Sequence, residues 1–218
     1  MYFQFLIEDM SGEILVRHIM EKIQEENKNV MYECKSFKGI GGLKKLPDPK
    51  VVKTDKLLND LPMFLRALDK QLQGIPSAVI IVLDNDTRNT EDFKEQLERQ
   101  AIYSMITIDY VFCIAVEEME AWLLGDREAL LQAYPHARES ILKDYKQDSI
   151  CGTWETLAAA LHKGGFKKFK KECQTYREIG KYKAEWADNI GKYLNIYKNI
   201  SPSFQYFISQ IKSRIDTI

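Results

Sequence analysis

Four short apolar runs punctuate the first part of the chain, and the stretches between them carry helical periodicity. Tyr2 to Ile7, Val30 to Phe37, Ser77 to Leu83 and Asp109 to Val116 read as strands. The last two are apolar almost throughout, as in strands covered on both faces. Between the runs, Ser11 is the expected cap of a helix with Ile14, Leu15, Ile19, Met20 and Ile23 on its apolar side. Thr54 to Gln73 spaces leucines for a second helix, and Thr90 is the expected cap of a third that runs to Ala101. The order β-α-β-α-β-α-β predicts an α/β fold with a mainly parallel central sheet flanked by helices. After Glu117 no strong strand pattern recurs. Helical segments follow at Glu118 to Leu123, Arg127 to Ala133, Ala137 to Lys143, Trp154 to His162, Lys183 to Tyr197 and Ser203 to Ile215. The expectation is an α/β core over 1–117 and a helical lobe over 118–218, packed as one unit.

A chain of 218 residues with 45% hydrophobic content can bury a core of this size. Its formal net charge of −1 gives no overall basic excess. Cys34, Cys113, Cys151 and Cys173 are far apart and form no CxxC pair, which suits reduced thiols in the cytoplasm. The N-terminus lacks the basic flank of a signal peptide, and no apolar stretch approaches the ~20 residues of a membrane span. No membrane association is expected.

Acidic residues follow three of the four apolar runs: Glu8 after the first, Asp84 and Asp86 after the third, and Glu117, Glu118 and Glu120 after the fourth. In an open parallel sheet the carboxyl ends of the strands share one edge, where sites collect. Carboxylates gathered there repel, at roughly 4 kcal/mol per pair for ~4 Å and an effective dielectric near 20. A divalent cation removes that cost. Asp84 and Asp86 would project to one side if the chain stays extended. Glu118 and Glu120 share a face in an extended chain, Glu117 and Glu120 in a helix. Hard cations favour such oxygen ligands, so Mg2+ or Mn2+ is the expected cofactor.

The succession strand–Glu, strand–Asp-x-Asp, strand–Glu-x-Glu-Ala-Trp resembles the TOPRIM domain of topoisomerases, primases and OLD-family nucleases. It is most similar to an uncharacterised TOPRIM-like family of bacterial proteins, through EMEAWLLGD (Glu118 to Asp126), CGTWETLAAAL (Cys151 to Leu161), KYKAEWADNI (Lys181 to Ile190) and SPSFQYF (Ser201 to Phe207). The resemblance implies a TOPRIM-like sheet and a Mg- or Mn-dependent nuclease that hydrolyses phosphodiesters. Glu8 would act as general acid/base or metal ligand, Asp84 and Asp86 as the metal pair, and Glu118 and Glu120 as further acids. One cation would sit with Glu8 and Asp84, and a second nearer Asp86 and Glu118 or Glu120. A lysine, Lys183 or Lys181, would stabilise transition-state charge. The resemblance also implies an ATPase partner and a role in defence against foreign DNA. Two departures stand out. Asp9 replaces the glycine that usually follows the first Glu, and a further acid expected at position 12 is Gly12, with Glu13 one place late. They favour the alternative of a non-catalytic nucleic-acid or ATPase-partner binding module with a degenerate site.

From Lys163 to Lys198 ten cationic side chains face four acidic ones. Lys167, Lys168, Lys170 and Lys171 in this stretch, with Lys44 and Lys45 beside the GIGG loop (Gly39 to Gly42), are the candidate nucleic-acid contacts, DNA in preference to RNA. Tyr182, Trp186, Ile190, Tyr193 and Tyr197 recur at helical spacing and read as one buried helix face. GIGG lacks the Gly-Lys-Ser/Thr of a P-loop and is expected to be a plain loop.

Overall fold

A computed structural model describes residues 1–43 and 54–217. Four strands, β1 (Tyr2–Ile7), β2 (Met31–Ser36), β3 (Ser77–Asp84) and β4 (Asp109–Ala115), form one sheet in the order β2-β1-β3-β4. All three strand pairs are parallel. The crossovers are the helices α1 (Met10–Glu26), α2 (Leu57–Gln71) and α3 (Thr90–Tyr103). The α/β class expected from the alternating pattern is therefore present.

The apolar faces sort the helices into two layers. Phe3, Phe5 and Ile7 of β1, Ile80 and Val82 of β3 and Cys113 and Ala115 of β4 point to one side. There they meet α1 and the C-terminal helices α4 (Glu120–Leu124), α5 (Arg127–Ala133), α6 (Glu139–Asp144), α7 (Thr153–Leu161), α8 (Gly165–Glu172), α9 (Tyr176–Gly191) and α10 (Pro202–Ile215). Leu6, Val79, Ile81, Leu83, Phe112 and Ile114 point the other way, onto α2 and α3. The helical C-terminal half thus shares one core with the sheet. Trp122, fully buried, stacks near Phe204 and Phe207 of α10, and its indole N–H donates to Ser203 Oγ at 2.9 Å.

Several local expectations are corrected. Asp9, not Ser11, caps α1: its carboxylate accepts the Gly12 N–H at 2.8 Å, and Ser11 lies inside the first turn. Asn89, not Thr90, caps α3. The helix carrying Tyr182 and Trp186 begins at Tyr176, behind a capping box of Thr175 and Glu178, and ends at Gly191. Tyr193 and Tyr197 lie beyond its end and are exposed. Helix α8, GFKKFKKE, has a single buried apolar residue, Phe169, and its pattern was too polar to be read as a separate helix. The GIGG loop is tied to the start of α2 through Gly39 O, Ile40 O and Asn59 Oδ1, which accept from Leu57, Leu58 and Gly42 N–H groups. Lys44 and Lys45 lie outside the described residues.

Candidate active site

The strand order reverses between β1 and β3, the place in an open parallel sheet where a crevice opens at the carboxyl ends. Glu8 and Asp84 stand on its two sides. The Glu8 backbone is held by Val82 O and Gly39 N, and its Oε2 accepts the Asp84 N–H at 3.1 Å. Burial, partly opposed by that N–H and reinforced by Asp9 and Asp86, pushes the Glu8 carboxyl up to about 7. Asp84 is shifted well upward by burial and by the charge of Glu8. Asp84 Oδ1 is sealed from solvent and has no hydrogen-bond partner among the described residues.

The loops after β3 and β4 are laced together by Asn85, a buried residue to which the sequence pattern assigned no role. Its side chain donates to Arg88 O and Thr90 Oγ1, and its Oδ1 accepts the Glu117 N–H at 2.5 Å. Glu117 sits at φ +62°, a conformation uncommon for a side-chain-bearing residue. Its carboxylate accepts the N–H groups of Cys151, Gly152 and Thr153 and the Thr153 hydroxyl. Burial alone would raise its pKa, but these donors hold it below the usual carboxylate range. Glu117 is therefore an anchor for the start of α7.

Its two acidic neighbours turn the other way. Glu118 accepts the Trp154 N–H at 3.2 Å and faces the Lys183 ammonium at 3.2 Å. Glu120, 2% exposed, has its Oε2 3.1 Å from the same ammonium, without an aligned hydrogen bond. Burial and the charge of Glu120 push Glu118 up to about 7, against the pull of Lys183. Burial would lower the Lys183 pKa, but the charges of Glu120, Glu118 and Asp84 outweigh it and raise it. Lys183 is the lysine that faces the site; Lys181 is exposed on α9.

Glu8, Asp84, Glu118, Glu120 and Lys183 thus meet in one electrostatically coupled cluster. Asp86 lies near enough to raise the Glu8 pKa, but it does not project to the same side as Asp84. The extended backbone ends at Asp84, Asp86 turns at φ +49°, and its exposed carboxylate pairs with Arg88 at 2.6 Å. Glu13 does not replace the acid missing at Gly12, because it binds Ser36 N–H and Arg17. Position 12 has little room for a side chain, since a Cβ there would lie 2.9 Å from Ile7 Cγ2. The four candidate α8 lysines are exposed.

A divalent cation finds a mixed set of donors here. Among the described residues no group of three His, Cys, Asp or Glu side chains is arranged to hold one ion. Lys183 supplies a positive charge at Glu118 and Glu120, where the resemblance implies a second cation. Glu8 and Asp84 remain, the latter with its orphaned Oδ1. Two carboxylates fit magnesium, which keeps several waters and completes its shell with substrate phosphate.

Fold and site define a parallel α/β protein with a buried acidic cluster at its switch point. The model of the Domain of unknown function (DUF4276) family matches residues 7–212, so the chain belongs to that family. No curated protein and no solved structure matches the chain.

Proposed function

We propose that the protein is a TOPRIM-like, Mg- or Mn-dependent phosphodiesterase acting on nucleic acid, with Glu8 and Asp84 as the cation ligands. The observation that carries this reading is the Glu8–Asp84 pair at the switch point, two carboxylates raised in pKa by burial, Asp84 also by the charge of Glu8, with one oxygen left without a partner. A bound cation would polarise the phosphate and lower the pKa of a coordinated water. The chain's own residues do the rest. Without a cation Glu8 has a pKa of about 7, with Oε2 held by Asp84 N–H; with the cation bound it would serve as an ionised ligand. Lys183 stays protonated and neutralises part of the charge of Glu118 and Glu120. Asn85 and Glu117 fix the two loops that carry these groups.

The test is manganese-dependent cleavage of DNA by the intact chain. Glu8→Gln and Asp84→Asn should each lower the rate at least about a hundredfold. Full activity after both changes discards the assignment. The binding-module alternative draws on the same structure: Asp86 is paired with Arg88, Lys183 fills the second half of the cluster, and Gly12 leaves no room for a further acid. Tight binding of DNA without turnover in any divalent metal would select it. An ATPase partner and a role in defence rest on the family resemblance. Four free thiols, three of them buried, support a reducing cytoplasm. No helix among the described residues is long and apolar enough to cross a membrane.

A further inference from the structure

Away from the acidic cluster, a cavity of about 500 Å3 opens between the turn joining α5 to α6 and the C-terminal end of α7. Among the described residues no carboxylate lines it. Its polar side is made by Arg138, His136, His162 and Lys163, and its apolar side by alanines, Pro135, Leu161 and the ring of Tyr134.

Arg138 is the centre of the polar side. Its Nη1 donates to Ala159 O at 2.7 Å and its Nη2 to His162 O at 3.1 Å. Those are two of the five N–H donors of a guanidinium, and both partners are neutral carbonyls. Among the described residues no carboxylate pairs with Arg138, which unlike the exposed Arg127 and Arg177 is half-buried. Gly165, at φ +71°, lies against the guanidinium: a Cβ there would be 2.8 Å from Arg138 Nη1. The His162 ring is fixed from outside the cavity by Glu172 at 2.9 Å and by Gly164 N–H at 3.3 Å, so it serves as wall. His136 and Lys163 are exposed and free to close on a ligand. Across from them, Tyr134 is held in place by Asn189, which donates to its hydroxyl at 2.9 Å.

A half-buried guanidinium without a counter-charge, flanked by a lysine and a histidine, calls for an anion with several acceptor oxygens. The apolar wall and fixed tyrosine ring call for a flat, apolar body attached to it. The volume is that of a small-molecule site. We propose that this cavity binds a nucleotide phosphate monoester, with the phosphate on Arg138, His136 and Lys163 and the base against Tyr134 and Leu161. The ligand is a free nucleotide or the 5′-phosphorylated end of a strand. The proposal is independent of the roles given to Glu8 and Asp84.

Calorimetric titration of the full chain tests it, with adenosine monophosphate, adenosine, inorganic phosphate, and a short DNA strand with and without a 5′-phosphate. The nucleotide or the phosphorylated strand should bind about tenfold or more tighter than adenosine, inorganic phosphate and the unphosphorylated strand. Whichever of the two binds tighter identifies the source of the phosphate. His136→Ala with Lys163→Ala should weaken binding about tenfold without lowering the melting temperature, because both side chains are exposed. Lys163→Glu alone should weaken it in the same direction. Glu8→Gln with Asp84→Asn should bind as the parent does. The proposal is overturned if the parent binds none of these ligands, if the cavity variants bind as the parent does, or if binding fails in the Glu8/Asp84 variant.

Discussion

The backbone N–H of Asp84 donates to the Glu8 carboxylate at 3.1 Å, joining the ends of β1 and β3 where the strand order reverses. The bond orients Glu8 beside a second buried acid, and the two resist ionising together. Glu8 in the folded chain has a pKa of about 7, against an ordinary 4.5. Between those values the folded state holds a proton that the unfolded chain releases. The stability this proton brings is complete below the ordinary range and is lost as pH rises through about 7. Glu8→Gln keeps an acceptor for Asp84 N–H and removes the charge. Its melting temperature should exceed the parent's by about 3–6 °C at pH 8 and by much less at pH 4. Calorimetric melts at the two pH values check this, and an equal loss at both would contradict it.

The same strain predicts a response to metal. Manganese binding to ionised Glu8 and Asp84 should raise the melting temperature of the parent at pH 8 in a concentration-dependent way. At pH 5.5 protons compete and the rise should shrink. The Glu8→Gln, Asp84→Asn double variant should show no rise at either pH.

Lys183 is the sole ammonium within ion-pair distance of Glu118 and Glu120 among the described residues. Lys183→Met leaves two buried carboxylates without a counter-charge, and breaking a buried pair from one side costs about 3–5 kcal/mol. Glu118, raised to about 7, takes up a proton as the pH falls, so much of the loss should return at pH 5.5. Adding Glu120→Gln to Lys183→Met should also recover part of it. Lys181→Met, on the exposed side of α9, should stay within about 0.5 kcal/mol of the parent. Urea denaturation of the four chains separates these outcomes.

Glu117 and Glu118 are adjacent in sequence and opposite in pH behaviour. Glu117 is held below its ordinary pKa by the α7 N-terminus. Its contribution is present above the ordinary carboxylate range and is lost as pH falls below it. Glu117→Ala leaves three N–H groups and a hydroxyl without their acceptor and should cost about 2–4 kcal/mol at pH 7. Hydrogen exchange at Cys151, Gly152 and Thr153 should accelerate in this variant more than exchange in the sheet.

The sequence made the strands legible, because a fully buried parallel strand is a continuous apolar run. Ser77 to Leu83 and Asp109 to Val116 each match the structure to within one residue. The convergence of Glu8, Asp84, Glu118 and Glu120 was readable for the same reason, since an acid at the end of such a strand has one sheet edge to occupy. What could not be read was direction within a loop. Asp86 leaves the site through a positive φ that no residue type announced, and Asn85 between the two aspartates became the buried tie. The choice between Lys181 and Lys183 follows from the helix phase: Lys183 lies one turn before Trp186 and Ala187 on the buried face of α9, and Lys181 is exposed. Helix α8 was missed because its buried contribution is one phenylalanine.

The α8 lysines are not equivalent, and the difference can be measured. Lys168 is 3.6 Å from Glu172, and Lys170 lies over the Phe166 ring at 5.0 Å. Both engagements compete with a phosphate. Lys167 and Lys171 are exposed and have no ion pair among the described residues. If α8 tracks a nucleic-acid backbone, Lys167→Glu with Lys171→Glu should weaken DNA binding more than Lys168→Glu with Lys170→Glu. Each lost phosphate contact should also reduce the slope of log affinity against log salt by about 0.7–0.9. The first pair should therefore flatten the slope by about 1.4–1.8, and the second by less. Fluorescence anisotropy over a salt series reads both quantities. Equal slopes in all three chains would remove α8 from the interface.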